Sequence, residues 1–434
     1  MEPRTAGAGQ QAALRRQNLS QLLREIHVHG ALSRSDLASR SGLNRSTIGS
    51  LVADLAARGL VRERPPLDKS GPGRPSPLVA PHPSGPVVLA VEMATDSLAA
   101  ALVGLGGSIL SAARIERPRG FRAPDEEVAG LGRLARAPLA QLHAGQSILA
   151  VGVSIPGLVR REDGFVHLAP NLGWRDIPIA ELVARALSLD VPVFVGNDAD
   201  LATLAEHTRG AGVGQSDFIC LWGEAGMGAG IVAGGRQLRG SAGYAGEVGH
   251  MTVNPDGLAC HCGSRGCWET EVGEEALIRH AGQASGDGMR ADIDQLLAAA
   301  QRGAPAAHEA MATVGRWLGI GIAGLIDIFN PSTIALGGLY ARIYPYVQPA
   351  ILEELDRRAM STSRRLVTLV PVSLGADAAL LGAAELAFAP TIADPTTVPR
   401  REVRHRRPEP VGTAVGTHRV EPYQGGATAE QHTV

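Results

Sequence analysis

The chain has 434 residues, 44% apolar and 19% charged, which is enough for two or three globular domains rather than one. No uninterrupted apolar run of about 18 residues exists, and the opening MEPRTAGAGQQAALRRQNLS lacks an apolar core. This composition argues against a membrane span or a secretory signal and predicts a cytoplasmic protein with no membrane partner. The formal net charge of −2 is unevenly spread: residues 1–80 hold 12 Arg plus Lys against 6 Asp plus Glu, an excess of +6 that points to nucleic acid at this end.

In chain order, Leu14, Leu19, Leu22, Leu23 and Ile26 fall at helical spacing over 11–29. Ser33 can cap a helix over 35–40 that Gly42 breaks. Asn44 or Ser46 can cap a second helix running through Ile48, Leu51, Val52 and Leu55 to Gly59, the punctuation of a helix-turn-helix. The Pro- and Gly-rich stretch 62–86 reads as a wing plus linker. From Val87, strands (VVLAVEM, SLAAALVGL, ILAVGVSIPG, VPVFVGND, FICLWG, GAGIVAGG) alternate with helices near 178–187 and 199–209, an α/β pattern. Residues 273–329 read mostly as helix; LGIGIAGLIDIF (318–329) is broken by Asp327 and reads as a buried helix rather than a span. Then STIALGG is a strand, 347–358 a helix, LVTLVPVSLG a strand and DAALLGAAELAF a closing helix. From Pro390 onward the chain is polar and aperiodic, with the basic run RREVRHRR at 400–407, and reads as a disordered, solvated tail.

Three of the four cysteines, Cys260, Cys262 and Cys267, lie within eight positions with Gly263 and Gly266 between them. A reducing compartment favours a metal over disulfides for such a cluster, and glycines let a short loop fold around a tetrahedral Zn²⁺. The fourth ligand should be an imidazole. His261, between two ligands, would point away from the ion, so His250 is the choice. Four protein ligands leave no open position, which makes the zinc structural.

GEVGHMTVNPDGLACHCGSRGCWE (246–269) resembles the signature of the ROK family of bacterial sugar kinases and sugar-responsive transcription regulators: Glu-x-Gly-His, a spacer, then Cys-x-Cys-Gly-x-x-Gly-Cys-x-Glu. The resemblance spans about 11–388, with further matches at SIPGLV (154–159), LAPNLGW (168–174), GNDADLATLAE (196–206), NPSTIALGG (330–338) and DAALLGAAELA (377–387). It implies an actin-like, ribonuclease-H-like two-lobed fold with sugar in the cleft. It also implies a sugar pocket lined by Asn197, Asp198, Glu247, His250 and Glu269, with Gly157 and Asn171 nearby. Paired carboxylates and amides suit polyol recognition. His250 would then serve zinc through one ring nitrogen and sugar through the other.

In the family's kinases the opening strand carries Asp-x-Gly-Gly-Thr against ATP phosphates; here Glu92 aligns with the Asp, and Ala94, Thr95 and Asp96 follow. The second phosphate loop, Gly-Thr-Gly-x-Gly, appears as GEAGMGAG (223–230), with Glu224 and Ala225 at the Gly-Thr positions and the remaining glycines read as hairpin residues. Carboxylates at these points would repel phosphate. Asp198, the general base of the kinases, would survive as a binding acceptor.

These features predict a sugar-responsive repressor and no enzyme, with a sugar kinase bearing a DNA-binding domain as the alternative. A third possibility is a silent sugar-binding interaction protein. The expected organisation is a winged helix-turn-helix over 11–80, a two-lobed ROK domain over 86–389 and a disordered tail over 390–434. Asn44, Arg45, Ser46 and Thr47 would meet base edges of an operator duplex. Arg74 in GPGRPSP resembles the minor-groove arginine of the family's regulators, and Lys69 would contact phosphate. The expected effector is a sugar or sugar phosphate, and the expected assembly a homodimer or homotetramer.

Overall fold

The computed structural model describes residues 4–65, 77–283 and 289–401. The amino-terminal helix runs over Arg4–His29, longer than its apolar spacing indicates, and buries Leu19, Leu22, Leu23 and Ile26. Helix Arg34–Ser41 opens with a reciprocal cap: Asp36 N–H donates to Ser33 Oγ, and Ser33 N–H donates to the Asp36 carboxylate. Gly42, at φ +70°, ends it. Helix Arg45–Ala57 is capped by Asn44, whose Oδ1 accepts from Thr47 N–H at 2.9 Å; Ser46 instead donates its hydroxyl to the same oxygen. Strand Leu78–Pro81 pairs antiparallel with Val61–Arg64 and with Leu32–Ser33, which forms a wing. The linker residues Lys69 and Arg74 lie outside the described residues.

Two five-stranded sheets follow, and they share one plan. In the first, an antiparallel meander (Val87–Met93, Ser97–Gly104, Ser108–Glu116) continues from its first strand into parallel Ile148–Ile155 and Val193–Asn197. In the second, Phe218–Gly223, Met227–Ala233 and Arg236–Gln237 form the meander, and Thr333–Gly338 and Thr368–Pro371 extend its first strand in parallel. Each lobe therefore has the same strand order, which a helix crosses to reach the parallel strands. A small sheet of Leu158–Arg160, Phe165–Ala169 and Trp174–Ile177 projects from the first lobe.

Helices cover the sheets: Pro124–Leu139 and Ile179–Leu187 on the first lobe, Pro305–Phe329 and Leu339–Arg358 on the second, with Asp198–Arg209 and Ala378–Ala393 between them. The 273–329 stretch resolves into Glu274–His280, Met289–Gln301 and Pro305–Phe329 among the described residues. Pro305–Phe329 and Gly375–Ala393 are long and apolar enough to cross a membrane by length and composition alone; 50% and 67% of their most apolar windows are buried inside the protein, and Leu318, Ile322, Leu325 and Ile326 lie in the second-lobe core, as the buried-helix reading of 318–329 expects.

The carboxy-terminal boundary needs correction. The closing helix runs past Pro390 to Ala393, a turn follows at Pro395–Thr397, and the described chain continues to Arg401; the remainder of the expected tail lies outside the described residues. This segment has a polar sequence, yet it is held by the head. Arg58 Nη1 donates to the carbonyls of Thr396 (3.0 Å) and Val398 (2.6 Å), and Arg400 pairs with Asp54 at 2.9 Å. Asp54, 5% exposed, also takes Arg15 at 2.9 Å and Arg58 at 3.2 Å. Burial opposes its ionisation, but these hydrogen bonds and charges outweigh it and hold the carboxyl below its usual range. One apolar cluster, including Leu22, Leu55, Val79, Val88, Ala384 and Phe388, runs continuously from head into body.

Candidate functional site

A cavity of about 470 Å³ opens between the lobes. All seven residues predicted for the sugar pocket, Gly157, Asn171, Asn197, Asp198, Glu247, His250 and Glu269, line it. Asn197 ends a first-lobe strand and caps helix Asp198–Arg209, its Oδ1 accepting from Asp200 N–H and its Nδ2 donating to Gly157 O at 3.1 Å. Asp198 is therefore the first residue of the helix rather than its cap, and one carboxylate oxygen accepts from Ala199 N–H at 2.8 Å.

The second lobe contributes the cysteine loop. Trp268 is fully buried against Gly321 and donates its indole N–H to Trp317 O at 2.8 Å, fastening the loop to the core. Gly266, at φ +69°, brings the backbone so close to Asn254 that a Cβ would lie 1.6 Å from the Asn254 carbonyl oxygen. Ligand atoms of His250, Cys260, Cys262 and Cys267 lie within 4.8 Å of one another, and the cysteines are free thiols. The separations of Cys262 Sγ from Cys267 Sγ, 3.6 Å, and of Cys260 Sγ from His250 Nδ1, 3.7 Å, approximate the edge of about 3.8 Å in a tetrahedral zinc–thiolate site. The four groups thus fit a tetrahedral metal. His261 lines the cavity and is not among them. His250 turns Nδ1 to the thiols and Nε2 towards Glu247, 3.9 Å away; Glu269 Oε1 lies 2.8 Å from Cys260 Sγ and 3.4 Å from His250 Nδ1.

Carboxylates dominate the cavity. Burial raises the Asp198 carboxyl above its usual range against the pull of Ala199 N–H. Glu224 is pushed up to about 8 by burial and then by the charge of Asp198, although its Oε1 accepts from Trp222 Nε1 at 2.8 Å. Glu92, behind the cavity, is raised to about 7 by burial, which outweighs Arg114 at 3.0 Å. The expected repulsive charges are thus modified at both loops. Glu224 is shifted towards its protonated form, and Asp96 is ion-paired with Arg119 (3.3 Å) from its own lobe and Arg290 (3.7 Å) from the other, while Arg119 also reaches Glu274 at 2.6 Å. The glycine-rich stretch makes the expected tight hairpin, between Phe218–Gly223 and Met227–Ala233; within it Gly228 and Gly230 also face Ala199 and Thr203, where a Cβ would lie 2.5 Å and 2.2 Å from the nearest atom, so their bareness admits the helix.

In the head, Asn44, Arg45 and Ser46 are exposed and Thr47 partly so, together at the amino end of helix Arg45–Ala57. Sequence reasoning passed over Trp222, Tyr244 and Arg279, which also line the cavity. Trp222 left only the trace of an aromatic at a strand end, Tyr244 sits in a segment without periodicity, and Arg279 is a helix residue whose direction nothing local shows.

Residues 88–389 match the profile described as ROK family, and residues 20–69 that described as MarR family. A glucokinase of Streptomyces coelicolor is 34% identical over 320 residues, covering 70% of this chain and 98% of that protein. The xylose repressor of Bacillus subtilis is 29% identical over 375 residues, covering 86% and 95%. A crystal structure of a ROK family transcriptional regulator, a homologue of the E. coli MLC protein, superposes with TM-score 0.71 at 27% identity and covers 88% of this chain and 97% of that one.

Proposed function

Because the chain belongs to the ROK family and carries a winged helix-turn-helix ahead of that domain, we propose that it is a sugar-responsive transcription regulator, a repressor of carbohydrate genes. The observation that carries this reading is the head: a capped helix with an exposed polar amino end, mounted on a body with a carboxylate-lined cavity. Asn44, Arg45, Ser46 and Thr47 would read the major groove of an operator, with Lys69 on phosphate and Arg74 in the minor groove. We assign 11–80 to DNA binding and 86–389 to sugar binding, and we expect a cytoplasmic homodimer or homotetramer matched to paired half-sites.

In the cavity, Asn197 and Asp198 from one lobe and Glu247, His250 and Glu269 from the other would accept and donate hydrogen bonds to sugar hydroxyls, beside Gly157 and Asn171. His250, Cys260, Cys262 and Cys267 would hold zinc, which when bound cross-links the loop and leaves no open position for chemistry. Their role is to orient His250 and Glu269. Ala94, Thr95 and Asp96 stand where the first phosphate loop of the kinases has Gly-Gly-Thr, and Glu224 and Ala225 where the second has Gly-Thr; the lost glycines and hydroxyls leave both loops poorly suited to ATP.

A gel shift on the protein's own upstream region, with and without D-xylose, D-glucose and N-acetylglucosamine 6-phosphate, tests the reading. A retarded band that a sugar weakens is expected. No retardation at low salt would overturn it. The glucokinase likeness and the position of Asp198 favour a second reading, a sugar kinase, which predicts ADP release with one of these sugars and its loss in D198N.

A further inference from the structure

Helix Asp198–Arg209 begins in the cavity and ends under the DNA-binding head. At its far end Arg209 donates from Nε to Glu385 Oε1 at 2.6 Å, and from Nη1 to the carbonyls of His27 (3.0 Å) and Gly106 (2.9 Å). Glu385, on the closing helix, places its other oxygen 2.8 Å from His27 Nε2, and Gly106 N–H donates to His27 Nδ1 at 3.1 Å. The Nδ1 side of the ring is thus taken by backbone, and its Nε2 side is turned to the charged groups. Arg209 Nη2 lies 2.6 Å from the same ring nitrogen, so His27 Nε2 faces both the guanidinium and the carboxylate. His27 and Glu385 are 1% and 7% exposed.

A buried ionic cluster is weak support for stability, since its desolvation offsets its attraction; fixing register is its best-attested use. Here it fixes the head's long helix, the closing helix and the cavity helix to one another. The cavity helix is also gripped along its length. Gly228 and Gly230 of the second lobe admit Ala199 and Thr203, and at Gly382 of the closing helix a Cβ would lie 1.9 Å from Leu201 O. With close packing on both sides, a helix about 18 Å long moves as a body.

We propose that helix Asp198–Arg209 is the rod by which the cavity sets the position of the DNA-binding head, with Arg209, Glu385 and His27 as the joint. The inference rests on the regulator reading and names its internal route. Such a route requires a coupling free energy between the two ends, not proximity alone.

A double-mutant cycle measures it without knowledge of the effector. Full-length parent, G228A, R209M and the double variant are titrated onto the upstream-region fragment at one salt concentration, after near-UV dichroism confirms folding. G228A pushes a methyl group into Ala199 at the cavity end and should change the Kd by about fivefold or more. In the R209M background the same change should be under about twofold, because the joint is open. H27F, which cuts the joint from the head side, should reproduce the result and stands in should R209M not fold. Equal effects of G228A in both backgrounds, or none in either, would overturn the proposal while leaving the regulator reading intact. Failure of the parent to bind DNA would remove both.

Discussion

Glu224 gathers much of the cavity's electrostatics in one side chain. Its carboxyl stands at about 8 instead of near 4.5, so the folded state holds a proton that the unfolded chain has already released. Stability from this group is full below about pH 4.5 and is lost as pH rises to about 8, beyond which the loss stays constant. Glu224→Gln keeps the acceptor for Trp222 and has no proton to lose. Melting curves of parent and E224Q should agree near pH 5 and separate by about 3 °C at pH 8.5, with the variant higher; a gap that does not change with pH would exclude the protonated carboxyl. At this scale the sequence is most legible where chemistry-bearing residues share one short loop. Cys260, Cys262, Cys267, Trp268 and Glu269 are separated by fixed spacings, so their common purpose can be read directly. The pairs Asp96–Arg119 and Asp96–Arg290 join distant segments, and only the packing of two lobes brings them together.

Among the elements, the cysteine loop has the sharpest requirements. Gly266→Ala faces both a left-handed φ and the Asn254 carbonyl, and should cost about 2 kcal/mol or more in denaturant unfolding. Purified protein should contain one zinc per chain by elemental analysis, and C267S, which removes a fully buried ligand, should lose it and melt at lower temperature. Helix starts in the head were readable because Ser33 and Asn44 cap by a mechanism local to a few residues. The helix Leu339–Arg358 was only partly readable. Pro345 and Pro349 suggest a break, yet Ile343, Val347 and Ile351 are buried on one face in the second-lobe core, and that packing carries the helix through. The glycines at 228 and 230 show their hairpin in the sequence but not their second role, for a related reason: a glycine that loosens a turn and one that admits a neighbouring helix look alike in a chain.

Over the whole molecule, the alternation of strands and helices announced an α/β architecture, and the repeated strand order turns it into two lobes around a cleft. The attachment of the head was not legible, because its apolar positions are the ordinary inward faces of helices and nothing local says which surface they meet. Asp54 is the strongest test of that attachment. Asp54→Ala leaves Arg15, Arg58 and Arg400 without their shared carboxylate and should speed amide hydrogen exchange over 395–400, measured by mass spectrometry, with exchange in the second lobe unchanged.

The carboxy-terminal strap over Arg58 and Asp54 bears on any attempt to engineer this protein as a biosensor. A chimera joined in the Pro-rich stretch near residue 80 would carry a foreign reader onto a body still shaped for the old one. Grafting should therefore move the first eighty residues together with residues 390–401, which the head holds through Arg58 and Asp54.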